Sequence, residues 1–473
     1  MDNAEFKKQA HLMVDWMADY LENIENRPVR APVKPGEITA QIPISPPQHG
    51  ESMARIMNDF CQIVVPGITH WQHPSFFAYF PANASPPSIL AEMLVATMGP
   101  VCMLWQTSPA ATELETQVLE WLRELFGLPL GLVGVIQDTA STATLCSLLA
   151  ARESATAHRT NQYGLKTVSP LTLYCSAEAH SSVAKAVKIL GLGSDNLRSI
   201  PVDSQFAMQP DLLKDAIQRD IAAGCRPFCV VATLGTTSTS GFDPLVPIGD
   251  LCRQHDLWLH VDAAWAGSAL AAPEFRWMIN GISKADSIVI NPHKWLLTNF
   301  DCTAHFVRHP EELVKALSIQ PEYLKTTNQQ LVTDYRDWGI PLGRRFRALK
   351  LWFVLRYYGI EGIQKHIRVH VKLAQELGDL IEAEEDFQLL VPPTLTLLCF
   401  RYRPTGNVSE QTLNSINQQL IESLNDSGEV YLTHTRIQDQ FCLRFAIGAQ
   451  RTERQHVRQA WATIKETARS LPL

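Results

Sequence analysis

The chain has 473 residues, 46% hydrophobic and 19% charged, which is long enough for two or three domains and too apolar for a disordered protein. A formal net charge of −7 leaves no basic footprint for nucleic acid and disfavours an anionic membrane surface. Its ten cysteines are scattered without paired C-x-x-C elements, which argues against a structural zinc site and fits reduced thiols in a cytosol.

Phe6, Leu12, Met13, Trp16, Met17, Tyr20 and Leu21 recur near helical spacing and predict an amphipathic helix over the first 25 residues. The opening MDNAEFKKQAHLMVDW is charged and lacks the apolar core of a signal peptide, so a cytoplasmic location is expected. Pro28, Pro32 and Pro35 then prevent the helix from continuing. Its apolar face has to find a surface, on its own body or on another subunit. The most apolar long window, around residues 86 to 112, is broken by Glu92, Gly99 and several prolines, and makes a poor membrane span.

From roughly residue 85 to 320, short apolar runs alternate with helical stretches. The runs LTLYCS (171–176), FCVVATLG (228–235), LWLHVDAA (257–264) and SIVI (287–290) read as strands; SSVAKAVKILG and LVPIGDLCRQHD read as helices. Near-continuous apolar strands between helices predict an α/β fold with a mainly parallel sheet covered on both faces. Ligands in such folds sit beyond the carboxyl ends of the strands, where Thr236, Thr237 and Asp262 fall. After about residue 345 two long helical stretches lead to strand candidates FQLLV, LTLLCFRYR, VYLTHT and FCLRFAIG, with helices at 408–425 and 452–468. This predicts a smaller α+β domain.

Three features carry chemistry. Lys294, in INPHKWLLTNFDC, stands in apolar company. It is read either as a stem lying on apolar surface with its head in water, or as an amine whose lowered pKa lets it attack a carbonyl and form a Schiff base. Asp262 ends an apolar strand in HVDAAWAGS, as a helix N-cap or as the partner of a protonated pyridine nitrogen. In QDTASTATL, Thr139, Ser141 and Thr142 precede an apolar helix; they can serve as a cap or open an anion site, to which Asn291 can add a donor. His180, in SAEAHSSVAKA, follows a strand and opens a helix, either as a hydrogen-bonded structural residue or as a ring stacked on a planar cofactor.

Taken together, NPHKWLLTNFDC, HVDAAWAGS, THWQHPSFFAYFP, TSPAATELE, DYRDWGIPLGRRFR and LRFAIG resemble the group II pyridoxal-phosphate decarboxylases, in particular the aromatic-L-amino-acid decarboxylases, with QDTAST nearer to bacterial members. The resemblance runs from about residue 5 to 465. It implies the type I, aspartate aminotransferase-like fold, divided into an N-terminal segment (1–84) packing on a partner subunit, a large cofactor domain (85–345) and a small C-terminal domain (346–473). It also implies a homodimer with active sites at the interface. Lys294 matches the lysine that holds pyridoxal 5'-phosphate, Asp262 the partner of the ring nitrogen, and His180 the stacking imidazole. Ala140, Ser141 and Asn291 match phosphate anchors; Thr237, Ala264 and His293 match further cofactor contacts. Trp71, Tyr79, Phe80, Pro81, Val101 and Met103 fall where an aromatic substrate pocket is built, and Tyr323 matches the tyrosine of a catalytic loop.

The implied activity is decarboxylation of an aromatic L-amino acid to its amine, with dopa, tyrosine, tryptophan, 5-hydroxytryptophan and phenylalanine all open. Departures from the family pattern bear on the substrate. Ala82 stands where animal dopa decarboxylases have a threonine and offers no hydrogen bond, although Asn83 beside it can. Met103 replaces an aromatic residue and softens the pocket. Gly343, before Arg344 and Arg345, stands where histidine decarboxylases of the group tend to have serine, and suits a larger ring. An aldehyde synthase is the nearest alternative; it is accompanied in this family by changes at the loop tyrosine or the stacking histidine, and both Tyr323 and His180 are kept. A non-catalytic binding protein of the same fold would be expected to lack the lysine.

Overall fold

The computed structural model describes residues 1–319 and 332–472. The chain divides into two compact units, one formed by Met1–Pro81 with Lys372–Leu473 and the other by Ala82–Val371.

The second unit is built on a seven-stranded sheet of β1 (Val133–Gln137), β2 (Leu171–Ser176), β3 (Leu197–Ile200), β4 (Arg226–Thr233), β5 (Trp258–Asp262), β6 (Ser287–Ile290) and β7 (Thr303–Val307), in the order β1-β7-β6-β5-β4-β2-β3. Neighbours from β6 through β5, β4 and β2 to β3 pair in parallel. Only β7 runs against its neighbours β1 and β6. Every residue of β2, β5, β6 and β7 is buried, as expected when helices cover both faces of a sheet. This is the α/β architecture expected from the sequence. Ala140–Ala155 packs across β4 to β7, while Leu245–Gln254 packs against β4 and β5. The strands β1, β3 and β7 were not expected. β3 is only partly buried, and TAHFV carries a threonine and a histidine that dilute its apolar pattern.

In the first unit, β8 (Phe387–Val391), β9 (Leu397–Tyr402), β10 (Thr433–Ile437) and β11 (Gln440–Ala446) form an antiparallel sheet in the order β10-β11-β9-β8. Helices Glu410–Ser427 and Arg454–Ser470 bury Ile416, Leu420, Leu424, Trp461 and Ile464 in the core of this unit. The helical run Arg347–Glu382 is interrupted at Gly359, whose φ of 64° and ψ of 174° are not helical. The N-terminal helix spans Asn3–Glu22 and buries none of its residues. Trp16 meets Tyr20 and Phe60, while Phe6 and Leu12 stay exposed. No helix among the described residues is long and apolar enough to cross a membrane.

Candidate active site

The parallel register aligns the carboxyl ends of three central strands. Thr233 of β4 pairs with Asp262 of β5, and Asp262 with Val289 of β6. Beyond the strands the alignment persists, because Ala263 N–H donates to the Val289 carbonyl at 3.0 Å and Asn291 N–H to the Ala264 carbonyl at 2.8 Å. The short turn Pro292–Trp295 follows, so Lys294 rises one strand away from Asp262. Asp262 is buried, and its Oδ1 accepts the Ala264 N–H at 3.0 Å. Lys294 is half-buried.

His180 belongs to the same cluster. Desolvation is the main cause that lowers its pKa; the Asp262 carboxylate raises it, and the Lys294 and Lys185 ammonium groups lower it. Lysine, carboxylate and imidazole, far apart in sequence, therefore share one electrostatic environment, although the His180 residue is exposed in the single chain. His293 is held neutral: burial, followed by the Lys294 charge, pushes its pKa down to about 4, and its Nδ1 accepts the Cys302 N–H at 3.0 Å.

The third part is a helix N-terminus. Thr139 caps Ala140–Ala155, its side chain accepting the Thr142 N–H at 3.4 Å, and Ser141 in the first turn is exposed. The N–H groups of a first turn have no partner within the helix and favour an anion. Thr303 of β7 ties this end to the lysine turn, its hydroxyl lying 2.9 Å from Asn291 Oδ1 and 3.1 Å from the Asp138 carbonyl. The Asn291 oxygen is thereby engaged, and its amide N–H₂ is the group able to serve an anion. Thr237 lies exposed in the loop after β4. That loop is closed by Gly241 N–H donating to Thr236 Oγ1 at 2.7 Å, and is joined to the His180 loop by Thr239 Oγ1 donating to Glu178 Oε2 at 3.0 Å.

Sequence reading missed the polar clamp that holds the lysine turn. Asn83, Ser85 and Ser88 are buried to 1% exposure or less. Asn83 donates its amide to the Lys294 carbonyl, Ser85 Oγ to the Leu297 carbonyl at 2.6 Å, and Ser88 Oγ accepts the Asn299 N–H at 2.9 Å. Asn83 thus serves the backbone of the lysine. The run NASPPS looks like a loop, and only Leu297, with φ near 57°, shows in hindsight that the turn opposite needed support.

The remaining residues form two further groups. Val101, exposed, and Met103, half-buried, flank Cys102, whose N–H donates to the Arg344 carbonyl at 2.9 Å; this brings them beside exposed Gly343, where a Cβ would meet nothing within 4 Å. Ala82 is half-buried. In the other unit, Trp71 stacks on Phe76 at 4.6 Å and on Tyr79 at 5.6 Å. Arg444 holds the Tyr79 carbonyl, Phe80 and Pro81 are buried, and Gly448 allows the Phe80 ring to approach. Tyr323 lies outside the described residues.

An amine, a buried carboxylate and a helix N-terminus at neighbouring strand ends suit the aldehyde, the ring nitrogen and the phosphate of pyridoxal phosphate. Residues 35–403 match the family profile described as pyridoxal-dependent decarboxylase conserved domain. The aromatic-L-amino-acid decarboxylase of Rattus norvegicus is 43% identical, with 100% of this chain and 99% of that protein covered. The phenylacetaldehyde synthase of Arabidopsis thaliana is also 43% identical, covering 99% and 96%. Among solved structures, the Catharanthus roseus tryptophan decarboxylase in complex with L-tryptophan superposes with a TM-score of 0.94 at 39% identity, covering 100% of this chain and 99% of that one. With a likeness of this length over a site whose donors answer each end of one cofactor, the chain belongs to the pyridoxal-dependent decarboxylases.

Proposed function

We propose that this chain is a carboxy-lyase that converts an aromatic L-amino acid to its amine and CO₂. The convergence of Asp262 and Lys294, at the ends of β5 and β6, with His180 from the loop after β2 carries this reading. Bound pyridoxal phosphate supplies a ring that accepts the electron pair left when the bond from Cα to the carboxylate breaks. Asp262, buried with one oxygen on the Ala264 N–H, holds the proton on the ring nitrogen with its carboxylate charge. Lys294 would hold the cofactor through its amine. The first-turn N–H groups at Ala140 and Ser141 hold the phosphate together with Asn291; Thr237, Ala264 and His293 line the remaining edge. His180 covers the ring face. Tyr323 is assigned as proton donor to Cα.

Substrate-binding roles are assigned to Trp71, Tyr79, Phe80 and Pro81 in one unit and to Ala82, Val101, Met103 and Gly343 in the other; apolar surroundings would favour loss of a desolvated carboxylate. The preferred ring stays among dopa, tyrosine, tryptophan, 5-hydroxytryptophan and phenylalanine. Exposed Phe6 and Leu12 in one unit, and Leu90, Leu94 and Met98 at helical spacing in the other, support a homodimer with the N-terminal segment on the partner. A cytoplasmic location is part of the same reading.

The second reading, an aromatic aldehyde synthase, is favoured by the equal identity to the Arabidopsis enzyme. Purified holoenzyme is to be offered the five aromatic amino acids and histidine in parallel, with amine, aldehyde and peroxide quantified. Amine from one or more aromatic substrates is expected. Stoichiometric aldehyde and peroxide would give the second reading instead, and product from histidine alone would overturn the substrate class.

A further inference from the structure

His180 carries a constraint that its role over the cofactor does not itself explain. Its Nδ1 lies 3.2 Å from the backbone N–H of Ser182 and 2.9 Å from Ser182 Oγ. A backbone N–H can only donate, so Nδ1 is an acceptor and the neutral ring carries its proton on Nε2. Ser182 is 4% exposed and opens the helix Ser182–Ile189, so its hydroxyl is held against the ring by the same turn that presents its N–H. Two donors thus converge on a single ring nitrogen.

We propose that Ser182 is a positioning residue of the decarboxylase site, pinning His180 in the Nε2–H tautomer and fixing the ring edge that faces the reacting centre. The proposal rests on the reading of Lys294, Asp262 and His180 as the cofactor site. In this tautomer His180 offers a hydrogen-bond donor through Nε2 toward substrate or loop, and it cannot act as a base through Nδ1. Protonation at Nδ1 would set its N–H against the backbone N–H of Ser182, so that N–H opposes the imidazolium, whereas the hydroxyl can turn to accept from either form. The other charges facing the ring are the Asp262 carboxylate, which favours the cation, and the Lys294 and Lys185 ammonium groups, which oppose it. The Ser182 N–H therefore works with burial and the two lysines against Asp262.

Two measurements test this. First, kcat/KM is followed against pH for the wild type, Ser182→Ala and Ser182→Thr. Ser182→Ala keeps the backbone N–H and loses the hydroxyl that fixes the ring, so the midpoint of the His180-dependent acidic limb is expected to move by about 0.5 to 1 on the pH scale. Ser182→Thr, which keeps the hydroxyl, is expected to restore the wild-type profile. Second, ¹⁵N NMR of histidine-labelled wild-type holoenzyme, with the His180 signals assigned by their absence in His180→Asn, reads the tautomer directly. An unprotonated Nδ1 is expected. A protonated Nδ1, or Ser182→Ala profiles that superimpose on wild type, would overturn the proposal whether or not the enzyme is a decarboxylase. Lys294→Ala that retained full cofactor absorbance and activity would instead overturn the reading on which it rests.

Discussion

Asp262 is a carboxylate at the end of a strand whose five residues are all buried, a place where an unpaired charge is costly. Within the chain its Oδ1 accepts the Ala264 N–H, and a cofactor cation would add a much stronger partner. Asp262→Asn preserves shape and removes the charge. Such a variant should still bind pyridoxal phosphate, seen by absorbance, while amine release falls by roughly 10³-fold, the scale of a lost preorganised electrostatic partner. Undiminished turnover would assign the ring nitrogen to another group. Lys294, Asp262 and His180 stand out in the sequence as ionisable residues in apolar or small-residue surroundings, and the family resemblance supplies their proposed roles. Ser182, Thr303 and Asn83 do not stand out. A serine, threonine or asparagine near a helix start or loop reads as local capping, and its partner, up to 211 residues away for Asn83, is set by the fold alone.

At the scale of elements, the sheet was legible where strands are continuously apolar. LTLYCS and SIVI fall on β2 and β6 residue for residue, whereas β7 was hidden by the polar residues it buries. Those polar residues bind the sheet to the Ala140–Ala155 helix. Buried His260 of β5 lies 3.2 Å from Thr144 Oγ1 and 2.8 Å from Ser287 Oγ, and His305 of β7 lies 2.7 Å from Ser147 Oγ. Burial pushes both histidines down to about 3, and at His260 a charge on His305 adds to this. Because the folded pKa lies below the unfolded value near 6.5, the unfolded chain binds more protons between about pH 3 and 6.5. Stability is therefore complete above the unfolded pKa and is lost as pH falls through that window. Each histidine contributes up to about 1.4 kcal/mol per pH unit. Denaturant titrations at pH 7.5 and 5.5 should show this loss, and His305→Gln should make the dependence shallower. An unchanged slope would mean that other groups govern acid stability. The clamp on the lysine turn makes a separate prediction. Asn83→Ala leaves the Lys294 carbonyl without this donor and should cost about 1–3 kcal/mol. Faster cofactor loss on dialysis is expected, and retention equal to wild type would show that the clamp does not hold the turn.

For the whole molecule, the sequence placed an amphipathic helix at the N-terminus without deciding what covers it. The described chain leaves that helix with no buried residue, and a second apolar face stands open on Pro86–Met98, where Leu90, Leu94 and Met98 are 47–60% exposed. Exposed apolar patches of this kind mark association sites, which is the basis for the proposed dimer. Leu94→Glu should shift the protein toward monomer in sedimentation velocity and lower activity in parallel. A fully dimeric, fully active variant would move the interface elsewhere. Relations between subunits were read from family likeness because no single-chain pattern encodes them.

Lys294 is proposed to hold the cofactor with which this decarboxylase works. This is tested most directly by reducing the holoenzyme with borohydride, digesting it and locating the pyridoxyl group by mass spectrometry. One modified lysine, Lys294, is expected, with decarboxylation lost upon reduction. A pyridoxyl group on another lysine, or full activity after quantitative reduction at Lys294, would contradict it.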